Sequence, residues 1–475
     1  MMSRHSFSDN ASGRGFHRCP AGNFNYDNTL CHRELVSDSN GSCTSGARLR
    51  AERASESARC VKKRISDRFT GECESGPDSA SAHHSAVLPA DARARHSRLS
   101  IALLCESFGA LGGVAQIVEE LATEFAAAGH RVAIVSNPHK GALMPRRHNQ
   151  AVEQIWLDLP RAKPLSLRHL ERLWRRPRAS ALAAFFRRWT PDLVNIHGGL
   201  RDRFPAVLTA CHQTKVPIVQ SFHLVPEPFS RTAEDARLNR FSNRALIAAR
   251  AITFPSIAVK EGFKKITPVA EGARIIRGGV SFEQAARAAP HNRPRPYIFS
   301  ASRLDLRHKA VDQVIGAFRL LAPEFPEVDL LIAGDGPQRG QVGEMIARSA
   351  VEERIQLMAP LPHDELWSFY KGALVFIMLS RMEEGLPLVF FEAMACSTPV
   401  VGTRSGGTPE IVIHQENGLL VESNETDVVA DALRRLLTDA GLRKQMGQSG
   451  CQRAKAYDWR ETAAAYLKLY QGLFT

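Results

Sequence analysis

No stretch of this 475-residue chain is apolar for long enough to span a bilayer as a helix, and its first residues hold no hydrophobic signal core. A cytoplasmic protein is the expectation. CxxC pairs are also missing. Of the nine cysteines, Cys19, Cys31, Cys43, Cys60 and Cys73 fall in residues 1–97 at spacings that suit neither a zinc site nor a compact disulfide module. Cys105, Cys211, Cys396 and Cys451 read as small buried apolar residues. No GxGxxG follows a strand-like run, which disfavours a dinucleotide dehydrogenase. No DxD-like acidic pair follows the strand-like runs either, so no obligatory metal is expected. Nothing marks a lysine for a Schiff base with pyridoxal phosphate, and no other cofactor is expected. The net charge of +13 comes without any nucleic-acid-binding motif.

What is present divides the chain in two. Residues 1–97 are rich in Ser, Arg, Asn and Gly, with few aliphatic residues and no sustained period. Such a segment cannot bury enough apolar surface to offset its ordering entropy. It is expected to be a disordered leader, or translated sequence upstream of the functional start, with His83 and His84 solvated. Beyond it, the length exceeds one ordinary core and suggests two domains.

Order begins at Leu99 with LSIALLC, a glycine-bearing loop, an amphipathic helix and a second strand, the opening of a doubly wound α/β fold. Gly112 and Gly113 stand where the helix starts, so the backbone there can approach an anion closely. The runs Thr190–Gly199 and Val216–Pro226 read as further strands, with His197 and His223 at their carboxyl ends. Farther on, strand Tyr297–Ala301 leads to Arg303 and Lys309, two cations able to neutralise a leaving diphosphate, with Arg307 as a competitor for the second place. Asp335 reads as the cap of its own Gly-Pro turn.

The stretch SRMEEGLPLVFFEAMACSTPVVGTRSGGTP, Ser380–Pro409, is the most informative. Glu384 and Glu392 are separated by seven residues in a strand–loop–helix–strand order, the pattern of a parallel βαβ unit. Gly385, Leu386, Pro387 and Leu388 form the turn into the helix, with Pro387 suited to its first position. Free N–H groups there favour phosphate oxygens. Carboxylates flanking such a site can grip hydroxyls on either side of a diphosphate, which describes a nucleotide-sugar. Glu392 lies within VFFEAMA, where an unpaired carboxylate is costly to bury.

From about Leu99 to the C-terminus the chain resembles the retaining GT-B glycosyltransferases of glycosyltransferase family 4 (glycosyl transferases group 1). The resemblance implies two Rossmann-like domains facing across a crevice: an acceptor-side domain over 98–282 and a nucleotide-sugar domain over 290–456. A terminal helix, 457–475, crosses back to the first domain. It implies that Glu384 contacts hydroxyls of the donor sugar and Glu392 those of the ribose. Arg303 and Lys309 hold the donor phosphates, Gly113 closes over them, and His223 stands near the donor sugar. The loop around Ala359–Leu361 takes the nucleobase through backbone groups, which places Leu361 among the donor-binding residues. The activity implied is metal-independent, retaining transfer of a hexose from a UDP- or GDP-sugar to a glycan or lipid-linked acceptor in polysaccharide or glycolipid biosynthesis. A GT-B phosphorylase, a nucleotide-sugar epimerase of the same fold and an inactive membrane-docked scaffold are the competing classes.

Residues 161–188 hold nine Lys or Arg and one acid, +8 of the whole chain's +13. Arg168, Arg172, Arg175 and Arg176 recur near helical spacing with Leu165, Leu170, Leu173 and Trp174 between them. The pattern suits docking at an anionic membrane surface or acceptor, as a peripheral protein on the inner face. It equally suits an arginine-rich helix whose apolar side packs on its own domain. Nucleic acid is not expected as a partner.

Overall fold

The computed structural model describes residues 98–474 apart from 107, 109–111, 138–148, 158–180, 199–203, 225–247, 266–267 and 423. The leader, with its five cysteines and paired histidines, lies outside the described residues, as does the basic segment up to residue 180.

The described residues form one compact unit built on two parallel sheets. The first takes β1 (Ser100–Cys105), helix α1 (Gly113–Ala127), β2 (Arg131–Ser136), β3 (Val152–Trp156), β4 (Leu193–His197), β5 (Ile218–Ser221), β6 (Ala251–Phe254), helix α2 (Ile257–Lys264) and β7 (Arg274–Ile275). Its strand order is β3-β2-β1-β4-β5-β6-β7. The second takes β8 (Tyr297–Ala301), helix α3 (Val311–Leu321), β9 (Asp329–Ala333), β10 (Ile355–Met358), helix α4 (His363–Gly372), β11 (Val375–Met378), helix α5 (Leu388–Ala395), β12 (Val400–Thr403) and β13 (Gly418–Val421). Its order is β10-β9-β8-β11-β12-β13.

Parallel strands covered on both faces need unbroken apolar runs rather than alternation. β11 and β13 are such runs; β8 and β9 are apolar but for Ser300 and Asp329, and all four are buried along their whole lengths. In both sheets the strand order reverses at the centre, between β1 and β4 and between β8 and β11. Ligand crevices form outside the carboxyl ends of strands at such reversals. That topology puts Gly112 and Gly113 after β1, His197 at the end of β4, Arg303 after β8 and Glu384 after β11.

Helix α6 (Trp459–Gln471) ties the two halves together by packing on α1. The Asn195 amide of β4 donates to the Tyr470 hydroxyl at 2.6 Å, and the Tyr466 hydroxyl lies 3.3 Å from Thr253 Oγ1 of β6. At its start, Val280 N–H donates to Tyr457 O at 2.7 Å, and a Cβ on Gly279 would lie 2.8 Å from the Trp459 backbone nitrogen. The close crossing therefore requires a residue without a side chain at Gly279.

The structure departs from the sequence-based expectations in two local ways. Pro387 precedes the helix as its N-cap rather than occupying its first position. Cys105 and Cys211 are buried as expected, but Cys396, the C-cap of α5, and Cys451 are only half-buried, their thiols bonded to the carbonyls of Trp367 and Ala395. At the described end of the basic segment, residues 181–189 are helical; Leu182, Phe185, Phe186 and Trp189 are buried while Arg187 and Arg188 face solvent.

Tyr470→Phe leaves the buried Asn195 amide without its partner. Its expected cost is about 1–3 kcal/mol, measurable as a lower urea midpoint at unchanged slope.

Candidate active site

Lys309, in the turn between β8 and α3, and Ser380, directly after β11, face each other through a backbone bridge. The Lys309 ammonium donates to Glu384 Oε1 and, at 3.2 Å, to Ser380 Oγ. The Ser380 hydroxyl donates to the same carboxylate oxygen. Lys309 and Glu384 are each 17% exposed, so their ion pair sits at the crevice wall with one side open. The sequence places Lys309 on phosphate and Glu384 on sugar hydroxyls; the structure brings them onto each other. Ser380 carries no role in the sequence reading, although a hydroxyl at the end of the apolar run before Glu384 is a usable signal.

The loop after β12 holds this turn from behind. Gly407 N–H donates to Glu384 O at 2.8 Å. Gly406 has φ +54°, and a Cβ there would lie 2.1 Å from Glu384 O. On the other side, a Cβ on Gly385 would lie 1.8 Å from His223 O. The Glu384–Gly385 backbone is thus clasped between its own sheet's glycine loop and the chain leaving β5 of the first sheet.

Arg303 is exposed, and its guanidinium makes no hydrogen bond or ion pair with a described residue. Arg307 is not an equivalent cation. It pairs with the buried Asp305 at 3.2 Å, which lowers the Asp305 pKa chiefly through that hydrogen bond. Asp335 accepts from Gly336 N–H at 2.8 Å, while its carbonyl accepts Leu304 N–H at 2.9 Å, fixing the loop that carries Arg303.

Glu392 is 2% exposed. Its Oε2 accepts the Tyr370 hydroxyl at 2.8 Å, and its Oε1 accepts the Gln116 amide of α1 at 2.7 Å and lies 2.9 Å from His363 Nε2. Burial pushes the Glu392 pKa up, but His363, Gln116 and Tyr370 outweigh it and hold it below the usual value. Burial likewise depresses His363, yet Glu392, with Glu120 and Glu119 behind it, leaves it raised overall. Gln116, His363 and Tyr370 carry no motif in the sequence.

His197 and His223 stack with ring centroids 5.2 Å apart, and His197 Nδ1 lies 3.0 Å from His223 Nε2. His197 is buried and His223 half-buried, and the remaining ring nitrogen of each is shielded from solvent without a partner among the described residues. Burial lowers both pKa values, His223 to about 4, so the pair is neutral at pH 7.

Gly112 is the N-cap of α1 at φ +151°, and Gly113 begins the helix, where an added Cβ would stand 3.9 Å from Leu388 Cδ1. Leu388 is buried, and Leu361 and Leu386 are packed partly buried on the same core. Within α5, helical bonding begins at Phe390 N–H, which reaches Pro387 O at 3.3 Å. Arg277 and Glu410 form a further bond between the halves at 2.7 Å, and Glu410 also accepts Ala258 N–H of α2 at 3.0 Å. Among the described residues, no three His, Cys, Asp or Glu side chains converge as a metal site.

Two family models match the chain: Glycosyltransferase Family 4 over residues 111–284 and Glycosyl transferases group 1 over residues 281–453. The GDP-mannose-dependent alpha-(1-6)-phosphatidylinositol monomannoside mannosyltransferase of Mycolicibacterium smegmatis is 31% identical over 261 residues, 52% of this chain and 66% of that protein. The D-inositol 3-phosphate glycosyltransferase of Corynebacterium jeikeium is 32% identical over 174 residues, 35% of this chain and 41% of that protein. The chain thus spans less than two thirds of the length of these curated relatives. Among solved structures, sucrose-phosphate synthase from Thermosynechococcus elongatus superposes with a TM-score of 0.66 at 22% identity, covering 79% of this chain and 99% of that one. Anabaena HepE in complex with UDP and glucose gives 0.63 at 18% identity, covering 78% and 99%. The architecture is the GT-B fold.

The stacked histidine pair makes stability pH-dependent. Because the folded pKa values lie below the ordinary imidazole value of 6.5, the unfolded chain binds more protons in acid. Their contribution is whole above about pH 6.5 and drains as pH falls toward 4. For His223 alone the loss between pH 7 and pH 5 is about 2 kcal/mol. Urea midpoints are expected to fall over that interval in the wild type and to fall less in His223→Gln.

Proposed function

Because the chain belongs to the glycosyl transferases of group 1 and glycosyltransferase family 4, we propose that it is a retaining, metal-independent hexosyltransferase. It moves a sugar from a UDP- or GDP-linked donor to a glycan or lipid-linked acceptor. The observation that carries this reading is the Lys309–Glu384–Ser380 cluster at the carboxyl end of β11, facing the first sheet across Gly385 and His223.

In this reading the donor diphosphate lies over the start of α5, between Arg303 and Lys309. An ammonium has three donors. Lys309 spends two on Glu384 and Ser380, and the third, which rests 3.4 Å from Met378 Sδ, exchanges that weak thioether acceptor for a phosphate oxygen. As the bond between the anomeric carbon and the phosphate oxygen breaks, the departing oxygen takes the electron pair, and the two cations stabilise its charge. Arg303 is exposed and without a competing partner among the described residues, which suits that role. Glu384, oriented by Lys309, holds hydroxyls of the sugar, and Glu392 those of the ribose. His223 borders the sugar from the first half, where its backbone carbonyl meets Gly385. The acceptor hydroxyl attacks from the face the diphosphate leaves, and its proton passes to the leaving phosphate. The donor classes are supported by the names of the mannosyltransferase relative, which is GDP-mannose-dependent, and of the HepE structure, which holds UDP and glucose.

The phosphatidylinositol-linked substrate in the mannosyltransferase relative's name favours a lipid-linked acceptor here. Among the described residues no helix is long and apolar enough to cross a membrane. Attachment by the basic segment at a cytoplasmic membrane face is the location proposed, with the exposed Arg187 and Arg188 at its described end.

Release of UDP or GDP from a panel of nucleotide-hexoses, with membrane lipid extract as acceptor, tests the reading. One donor is expected to turn over, with Glu384→Ala and Lys309→Ala each slowed by ~10²–10³-fold while both variants keep the wild-type melting profile. Undiminished release by Glu384→Ala would remove that residue from the site.

A further inference from the structure

A carboxylate offers four acceptor positions, two on each oxygen. On Glu392, Tyr370 fills one at Oε2, His363 faces one at Oε1 from 2.9 Å, and Gln116 fills the other at Oε1 from 2.7 Å. Tyr370 and His363 both belong to α4, packed against α5 in the same half as Glu392. Gln116 comes from α1 in the other half. It is the partner of these three that leaves when the two halves part. Its departure opens one position on Oε1 beside the unused one on Oε2. A ribose diol brings two hydroxyl donors, one for each oxygen.

Resting on the reading of Glu392 as the ribose ligand, we propose that His363 is a positioning residue that keeps this carboxylate ionised and aimed at the ribose. Gln116 holds the diol's place until a nucleotide arrives. His363 is the first residue of α4, where the helix dipole opposes an imidazolium. The groups that face it offset this: Glu392 on α5, and Glu119 and Glu120 on α1. Trp367, one turn along α4, meets its ring edge-on with centroids 5.6 Å apart and fixes its plane. Without the imidazolium, burial would drive the Glu392 carboxyl toward its protonated form, which has lost an acceptor. Nucleotide affinity then falls more steeply toward acid than it does in the wild type.

Calorimetric titration of the full chain with UDP, GDP and their 2′-deoxy forms, at pH 8 and pH 6, tests this. The wild type is expected to prefer the ribonucleotide at both pH values. In His363→Ala that preference shrinks about tenfold, and it shrinks further at pH 6. His363→Gln keeps a donor but no charge, so it is expected to match the wild type at pH 8 and fall behind at pH 6. It carries the test alone if the alanine variant does not fold. Gln116→Ala is expected to bind the ribonucleotides at least as tightly as the wild type. Wild-type affinities and an undiminished preference for ribo- over deoxynucleotide at both pH values in the His363 variants overturn the proposal. A wild type that binds neither nucleotide, or binds ribo and deoxy forms alike with no change in Glu392→Gln, overturns the ribose reading itself.

Discussion

A carboxylate buried beside the junction of two sheets constrains this protein more than any other single group. Glu392 has almost no contact with water, and an ionised carboxylate in such a place is tolerated only when hydrogen-bonded. Its partners are drawn from both halves: Gln116 from the helix after β1, His363 and Tyr370 from the helix before β11. Satisfying one charge therefore fixes how α1, α4 and α5 meet, and α1 and α5 are the helices whose starts line the crevice.

Backbone contact completes what that charge begins. Gly385 against His223, Gly406 and Gly407 against the Glu384–Gly385 turn, and Gly279 against Trp459 are approaches that a methyl group would block. The first and last bring main chain to main chain where the two halves meet, and the middle pair braces the turn that makes the first contact. The ion pair of Lys309 and Glu384 then stands on a rigid support, open to the crevice on one side. The terminal helix adds buried tyrosines that reach β4 and β6 from the second half of the sequence.

Much of this was legible in the sequence, for physical reasons. Parallel strands must be continuous apolar runs, so Tyr297–Ala301 was readable to the residue. The run Val216–Pro226 shortened to Ile218–Ser221 because the chain after Ser221 turns to meet Gly385, a contact made across the crevice. Glu384 and Lys309 were visible as residue types at strand ends, but their pairing spans 75 positions and depends on the sheet order. Gln116 lies 276 positions from Glu392 and His363 only 29, yet neither distance leaves a pattern, because helix starts and buried carboxylates find each other only through packing. The choice between Arg307 and Lys309 was decidable in principle: Asp305, two residues earlier, claims the arginine.

The central claim is that the crevice at the ends of β8 and β11 binds a nucleotide-sugar through its diphosphate. Its most direct test is the melting temperature of the full chain against UDP-glucose, GDP-mannose, their free nucleotides and NAD. A ligand that binds only the folded state raises that temperature. A rise is expected with one of the UDP- or GDP-sugars and none with NAD, and the rise is expected to be lost in Arg303→Ala. A folded protein that responds to none of these nucleotides, or an Arg303→Ala variant that responds like the wild type, would contradict it.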